Sequence, residues 1–490
     1  MGVLSMIIIG LILVFFIVLA IKTALYTSNQ VTVADIKPVV VNTASSVPML
    51  SKAVQLRTIS HIDPEKIDPA QFIAFHKFLK NSYPNLHNSL RLDTINDYSL
   101  LYKWQGSDPD LEPVLLIAHQ DVVPVEHETE NKWTHDAFSG KIFDGFIWGR
   151  GTLDDKGCLI ALMEAVEMLI KLKFSPRRSV YLAFGHDEEI GGQEGAAKIA
   201  AHLKENGVQV AFVIDEGLTL LKKDLSPAKR KTALIGLSEK GYVTLIITAN
   251  SKGGHSSMPP PKTAIGSLAR AICRLEVHQM PTKLCGPAVK LFNFIGPEMP
   301  ILHKCLFANL WAFKHIVISQ LKKVNTTNAL VRTTCAPTMI KGGVKENILP
   351  GQAHVFVNVR ILPGDSISSV VAHARKVIND PAIEVGIHSG AYDAEPSPEA
   401  NVGSFGFKTI RRTIHEIFKD TIVAPGLVVG ATDSRHYTSI SENIYRFVPY
   451  NLGRADTERI HGIDERIAIE DYVKLIQFYA QLIRNFDGEH

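Results

Sequence analysis

Apolar residues along this chain form two kinds of run. Short unbroken runs at 113–118 (PVLLIA), 179–184 (SVYLAF) and 211–214 (AFVI) have the length of strands and show no polar alternation. Such runs read as strands buried on both faces. Between them, apolar positions repeat at helical spacing at 69–80 (PAQFIAFHKFLK), 156–174 (KGCLIALMEAVEMLIKLKF) and 194–206, the last closed by Gly207. Strands separated by helices predict an α/β fold with a mixed, largely parallel sheet and helices on both faces. After about residue 236 the pattern changes. Residues 241–249 (GYVTLIITA) and 353–361 (AHVFVNVRI) are β-rich and more alternating, with helical stretches at 262–276 and 301–323. These predict an inserted α+β unit. Helical spacing returns at 403–418, and 467–486 closes the chain as an amphipathic helix. The expected division is a leader at 1–25, a linker at 26–45, an α/β domain in two parts at 46–235 and 389–490, and an inserted domain at 236–388.

The leader carries no charge before Lys22, and 6–21 (MIIIGLILVFFIVLAI) is almost purely aliphatic and aromatic. Twenty-one helical residues reach about 31 Å, just enough for a hydrocarbon core of ~30 Å. The segment is a signal peptide or an uncleaved signal-anchor. Either directs the chain to the secretory pathway, as a secreted protein or as a single-pass protein with a lumenal or extracellular domain. A glycosylation sequon at Asn325 fits that compartment.

Composition narrows the class. Apolar residues at 46% and charged residues at 21% exclude a disordered chain, a collagen and a polytopic membrane protein. Lys+Arg 52 against Asp+Glu 49 is too balanced for a nucleic-acid-binding surface. Five cysteines are too few for a disulfide-built scaffold; Cys273, Cys285, Cys305 and Cys335 are placed to staple one segment, and an odd count leaves at least one thiol free. None has metal-site spacing.

The chemistry lies at the strand ends. The first buried run leads into His119-Gln120-Asp121, the second into His186-Asp187-Glu188-Glu189, and the third into Asp215-Glu216-Gly217. Parallel strands bring their carboxyl ends to one edge of a sheet, where ligands bind, so His119, Glu188, Glu189 and Asp215 are expected to converge. Carboxylates gathered at one edge repel one another unless a cation neutralises them. Imidazole and carboxylate donors suit Zn²⁺ without thiolates. Glu188 and Glu189 diverge as neighbours, so one is expected to bind metal and the other to act as a general base on water. Asp121 can accept the second imidazole N–H of His119 and orient the ring. Asp155 is expected to cap the helix that follows it. His135, His186, His354 and His436 read as structural.

Seven motifs occur in order: HQDVVP at 119–124, GRGTLDDK at 149–156, DEE at 187–189, DEG at 215–217, GHSS at 254–257, NILP at 347–350 and RIHG at 459–462. Together they resemble the co-catalytic dizinc metallopeptidase family of aminoacylase and carboxypeptidase S, over almost the whole chain after the leader. The resemblance implies a zinc-exopeptidase fold whose inserted domain is a lid and dimerisation unit. It implies two Zn²⁺ per chain bridged by Asp154, with His119 and Asp215 completing one site and Glu189 and His461 the other. Glu188 would be the base and Asp121 the orienter. His255, reaching from the lid, would stabilise the oxyanion. Asn347, with Arg435 or Arg332, would hold a substrate carboxylate. The branch most resembled hydrolyses, and in reverse synthesises, N-fatty-acyl amino acids; the alternatives within the family are a Gly-X dipeptide carboxypeptidase and a general aminoacylase. Implied partners are fatty acids, amino acids and their conjugates, a second copy through the lid, and a lipoprotein or membrane surface, with no nucleic acid.

Overall fold

The computed structural model describes residues 2–389 and 392–487. The main sheet has eight strands: β1 (Arg91–Ile95), β2 (Ser99–Trp104), β3 (Val114–His119), β4 (Val180–Gly185), β5 (Phe212–Leu221), β6 (Thr232–Glu239), and, after the strands of the inserted domain, β13 (Ile422–Val428) and β14 (Ile444–Leu452). Their spatial order is β1-β2-β4-β3-β5-β14-β6-β13. β3 pairs in parallel with β4 and β5, β5 with β14, and β6 with β13, while the β1–β2–β4 edge is antiparallel.

The unbroken apolar runs are explained by burial on two faces. Along β3, Val114, Leu116 and Ala118 enter one core cluster, and Leu115 and Ile117 enter another. The first cluster lies under helices α2 (Lys156–Lys171), α9 (Phe405–Ile417) and α10 (Ile469–Asn485). The second takes Ile199 and Leu203 from α3 (Ala196–Glu205). β6, β13 and β14 were not legible as strands. Pro425 interrupts β13, which tolerates it because β13 is an edge strand. Pro449 lies in β14 where the register with β5 slips between Phe447 and Asn451.

The inserted domain contains the antiparallel strands β7 (Gly241–Asn250), β9 (Thr334–Gly342), β11 (Gln352–Ile361) and β12 (Ile383–Ile387), in the order β9-β11-β7-β12. A short ribbon pairs β8 (Gly254–His255) with β10 (Ile348–Leu349). Helices α4 (Ala264–Val277) and α8 (Ile367–Ile378) cover the four-stranded sheet, burying Leu268, Leu275, Val370 and Ile378 against Val243, Leu245 and Val357.

Residues 286–321 leave this core. Helix α5 (Gly286–Ile295) packs on the main domain, with Phe294 edge-on to Phe407 and Ile295 beside Ile422. The single helix expected at 301–323 is two, α6 (Ile301–Ala308) and α7 (Leu310–Leu321), bent by 115°. Asn309 makes the break. Its side-chain amide donates to the carbonyls of Cys305 (2.9 Å) and Leu19 (3.3 Å) and to Thr23 Oγ1 (3.2 Å). The latter two belong to the N-terminal helix α1 (Val3–Leu25). The expected staple is absent: all five cysteines are free.

Candidate active site

Two clusters of metal-ligating side chains share one residue. His119 closes β3 and is 1% exposed; its Nε2 lies 3.0 Å from Asp154 Oδ1 and 3.5 Å from Glu216 Oε1. His461 Nε2 lies 3.0 Å from Asp154 Oδ2 and 3.1 Å from Glu189 Oε2. Within each trio the donor atoms are all within 4.8 Å of one another. Asp154 thus turns one carboxylate oxygen to each histidine.

The supports come from neighbouring loops. Asp121 accepts from the backbone N–H groups of Glu188 and Glu189, both at 3.1 Å, and its carboxylate lies 3.3 Å from His119 Nδ1. It therefore joins the ends of β3 and β4. His119 Nδ1 is also 3.0 Å from the carbonyl of Asp121. A pair not anticipated from the sequence fixes the other two loops. Glu465 accepts from Arg150 Nη1 (2.6 Å) and from the backbone N–H groups of Gly151 (2.9 Å) and Leu153 (2.8 Å). Arg150 Nη2 in turn donates to the carbonyls of His461 (3.0 Å) and Gly462 (3.1 Å). This ion pair, buried at both ends, locks the loop of Asp154 to the loop of His461.

Asp215 is placed differently from Glu216. It lies in neither cluster, and Glu216 is the residue of the pair that groups with His119 and Asp154. The strand read as ending at Ile214 continues to Leu221, and the acidic pair lies within β5 where its register with β14 slips between Asp215 and Leu218. Asp215 accepts instead from the backbone N–H groups of Ser434 (2.9 Å) and Glu216 (2.8 Å). Gly217 holds φ +135°, and a Cβ there would come within 2.8 Å of Arg446 Cβ. Asp155 occupies the N-cap position of α2 but makes no capping hydrogen bond; both its oxygens are buried without a partner. His186 is packed among Phe72 and Tyr98 and bonded to Ser99 Oγ at 2.7 Å.

Glu188 stands beside the clusters with no hydrogen bond to its carboxylate among the described residues. Burial pushes its carboxyl well above the usual range; His119 opposes this, and Asp433, Glu216 and Glu189 add to it. Burial also raises Glu216 to about 8 and Asp215 to about 6. Asp154 goes the other way, because contacts with His119 and His461 outweigh its burial. Hydrogen bonds to Asp154 and Glu189 raise His461 to about 10.

The residues of the inserted domain are placed differently. His255 and Asn347 are neighbours on the exposed β8–β10 ribbon, where Ser256 N–H donates to the carbonyl of Asn347 at 3.2 Å. The amide N–H of Ser257 donates to His255 Nδ1 at 3.2 Å. Ser257 Oγ lies 2.7 Å from the same nitrogen, so Nδ1 is engaged within its own loop and Nε2 is the ring atom left to face a ligand. No hydrogen bond or ion pair joins His255 to the clusters among the described residues. Arg435 donates to the carbonyl of Gly191 (2.7 Å), lies 4.4 Å from the Tyr392 ring centre, and keeps a buried Nε without a partner. It lines a cavity of about 290 Å³ with Glu239, Lys240, Tyr242, Tyr392 and His436. Arg332 is outside that cavity and donates to Gln279 Oε1 at 2.6 Å.

The donor set fits divalent cations. Imidazole and carboxylate ligands converge without thiolates, and Glu189 Oε1 is a buried acceptor with no hydrogen-bond partner. A free carboxylate beside such ligands can move the proton of an attacking water, the requirement for opening an amide. Fold and site thus define a metal-dependent amide hydrolase. The chain belongs to peptidase family M20/M25/M40, whose model matches residues 115–485. It is 40% identical to probable carboxypeptidase S-like 2 of Dictyostelium discoideum over 96% of this chain and 91% of that one. It is 41% identical to N-fatty-acyl-amino acid synthase/hydrolase PM20D1 of Xenopus tropicalis over 91% of this chain and 86% of that one. Among solved structures, the M20 family metallo-carboxypeptidase Sso-CP2 of Sulfolobus solfataricus shares the fold at TM-score 0.65 and 19% identity, covering 90% of this chain and 99% of that one.

Proposed function

We propose that this protein is a dizinc amidase that hydrolyses N-fatty-acyl amino acids and, in reverse, condenses a fatty acid with an amino acid. The observation that carries the reading is Asp154 facing both histidines, with Glu188 unbonded beside them. The acyl preference rests on the relatives that bear that name at 36–41% identity.

His119, Asp154 and Glu216 would hold one Zn²⁺, and Asp154, Glu189 and His461 the other, with Asp154 as the bridge. Bound zinc supplies a water of pKa about 7 and a Lewis acid for the amide oxygen. Glu188 takes the proton from water as its oxygen attacks the amide carbon. It then gives the proton to the departing nitrogen as the C–N bond breaks, leaving a carboxylate and an amine. His255 Nε2–H stabilises the oxyanion. His255 is exposed and unconnected to its own chain's clusters, which supports its reaching the site of a second copy. Arg435, which lines the cavity beside Tyr392, holds the amino-acid carboxylate. The apolar N-terminal helix takes the chain into the secretory pathway.

The likeness to carboxypeptidase S-like 2 favours a second reading, a dipeptide carboxypeptidase. Turnover of N-oleoyl-phenylalanine against glycyl-phenylalanine decides between them. A kcat/KM higher for the oleoyl conjugate supports the proposal, and one higher for the dipeptide refutes it.

A further inference from the structure

The inserted helices α6 and α7 are packed in part: Phe307 stacks on Phe292 of α5 at 4.6 Å, and Val317 and Ile318 are buried. Four large apolar side chains on them stay open, with Ile301 68%, Leu302 76%, Trp311 56% and Ile316 52% exposed. Large apolar side chains left exposed on neighbouring helices mark a docking surface.

Three observations say what covers it. The first is the neighbour. Helix α1 is long and apolar enough to cross a membrane, and only 6% of its most apolar stretch is buried. Trp311 on α7 packs against Phe15 of α1 at 5.7 Å and under Lys22 at 5.8 Å. Asn309, between α6 and α7, bonds to Leu19 and Thr23 of the same helix.

The second is depth. Lys22 is the first charge in the chain, so it marks where α1 leaves the hydrocarbon. Phe15 is seven residues earlier, about 10 Å deeper. Trp311, touching both, is held across the boundary zone where tryptophan concentrates in membrane proteins. The third is charge. No Asp or Glu occurs from 299 to 345, whereas Lys304, Lys314, Lys322 and Lys323 lie on or just after the two helices. Exposed apolar side chains flanked by lysines alone are complementary to an anionic lipid surface.

We propose that α6 and α7 lie in the plane of the membrane that α1 crosses, with Ile301, Leu302, Trp311 and Ile316 in the acyl boundary and the lysines among anionic phospholipid headgroups. The inference is independent of the reaction proposed above.

The test uses the full chain reconstituted in phosphatidylcholine–phosphatidylserine vesicles, with and without brominated acyl chains as quenchers. Trp104 and Trp148 are buried and Trp133 half-buried, so Trp311 is the tryptophan open to lipid. The bromolipid should quench part of the emission, and Trp311→Phe should remove the quenchable part. Leu302→Trp in that background should restore quenching from the outer turn of α6, away from the α1 contacts. Lys314→Glu with Lys322→Glu and Lys323→Glu should reduce quenching in phosphatidylserine vesicles but not in phosphatidylcholine alone. Absence of quenching overturns the proposal. So does quenching at Trp311 without quenching at position 302, which would mean that α1 alone is embedded. A full chain whose exposed apolar side chains are shielded by a second copy, seen as a dimer that Leu302→Asp dissociates, overturns it as well.

Discussion

Replacing Glu216 by Gln separates the two acidic residues of β5. Glu216 has 17% of its side chain exposed, so solvent screens it little. Its rise from 4.5 to about 8 without a cation makes its charge cost about 5 kcal/mol, at 1.36 kcal/mol per pH unit. The sign follows from linkage. The carboxyl is harder to ionise in the fold than in the unfolded chain, so the metal-free protein has this stability below pH 4.5 and loses it as pH climbs towards 8. Glu216→Gln removes the penalty. With ~2 cal/mol/K of unfolding entropy per residue over 490 residues, the metal-free variant should melt up to about 5 °C above the metal-free wild type at pH 8, with no advantage at pH 4.5. The zinc-loaded variant should reverse the order, because it has lost a ligand and its metal content drops from two to one per chain. Asp215→Asn should keep two. Thermal melts in chelator and in zinc, with elemental analysis, read all of this. If Asp215→Asn loses a metal and Glu216→Gln keeps both, the assignment of β5 is wrong.

Further outcomes follow from the same geometry. Glu188→Gln should lower kcat by about 10²–10⁴-fold with metal content unchanged; retained turnover would remove Glu188 as the base. Glu465→Gln leaves Arg150 buried without its counter-charge, which should cost about 3–5 kcal/mol of stability and weaken zinc binding by about 10–100-fold through the two loops, read by melts and zinc titration. Arg435→Ala should raise KM by about 10–100-fold, the loss of a charge-assisted hydrogen bond of ~1.5–3 kcal/mol, while Arg332→Ala leaves KM unchanged. His255→Ala should lower kcat by about 10²–10³-fold, and mixing it with Glu188→Gln should restore part of the activity if the lid serves a second copy.

The pattern of residues carried the central architecture because burial on both faces writes unbroken apolar runs: β3 and β4 are legible as such. Of the residues that the two clusters bring together, His119 and Glu189 stand out at strand ends, whereas Asp154 and His461 enter only through the family resemblance. Which of Asp215 and Glu216 faces His119 was not legible, since it depends on how β5 runs through Asp-Glu-Gly, a stretch that looks like a turn in sequence. Glu465 was missed for another reason. An acid far along the chain from the loops it holds leaves no local spacing, and only the fold brings it to Arg150. The bend at Asn309 was hidden likewise, because no Pro or Gly marks it and its cause is a contact with α1.

The proposed reaction is metal-dependent hydrolysis of an N-fatty-acyl amino acid at the site where Asp154 faces both histidines. Release of oleate from N-oleoyl-phenylalanine, followed while zinc is returned to chelator-stripped protein, tests it most directly. Activity should be absent without metal and fully restored at two equivalents per chain, and Asp154→Asn should stay inactive at any zinc concentration. Full activity at one equivalent, or turnover by Asp154→Asn, would contradict it.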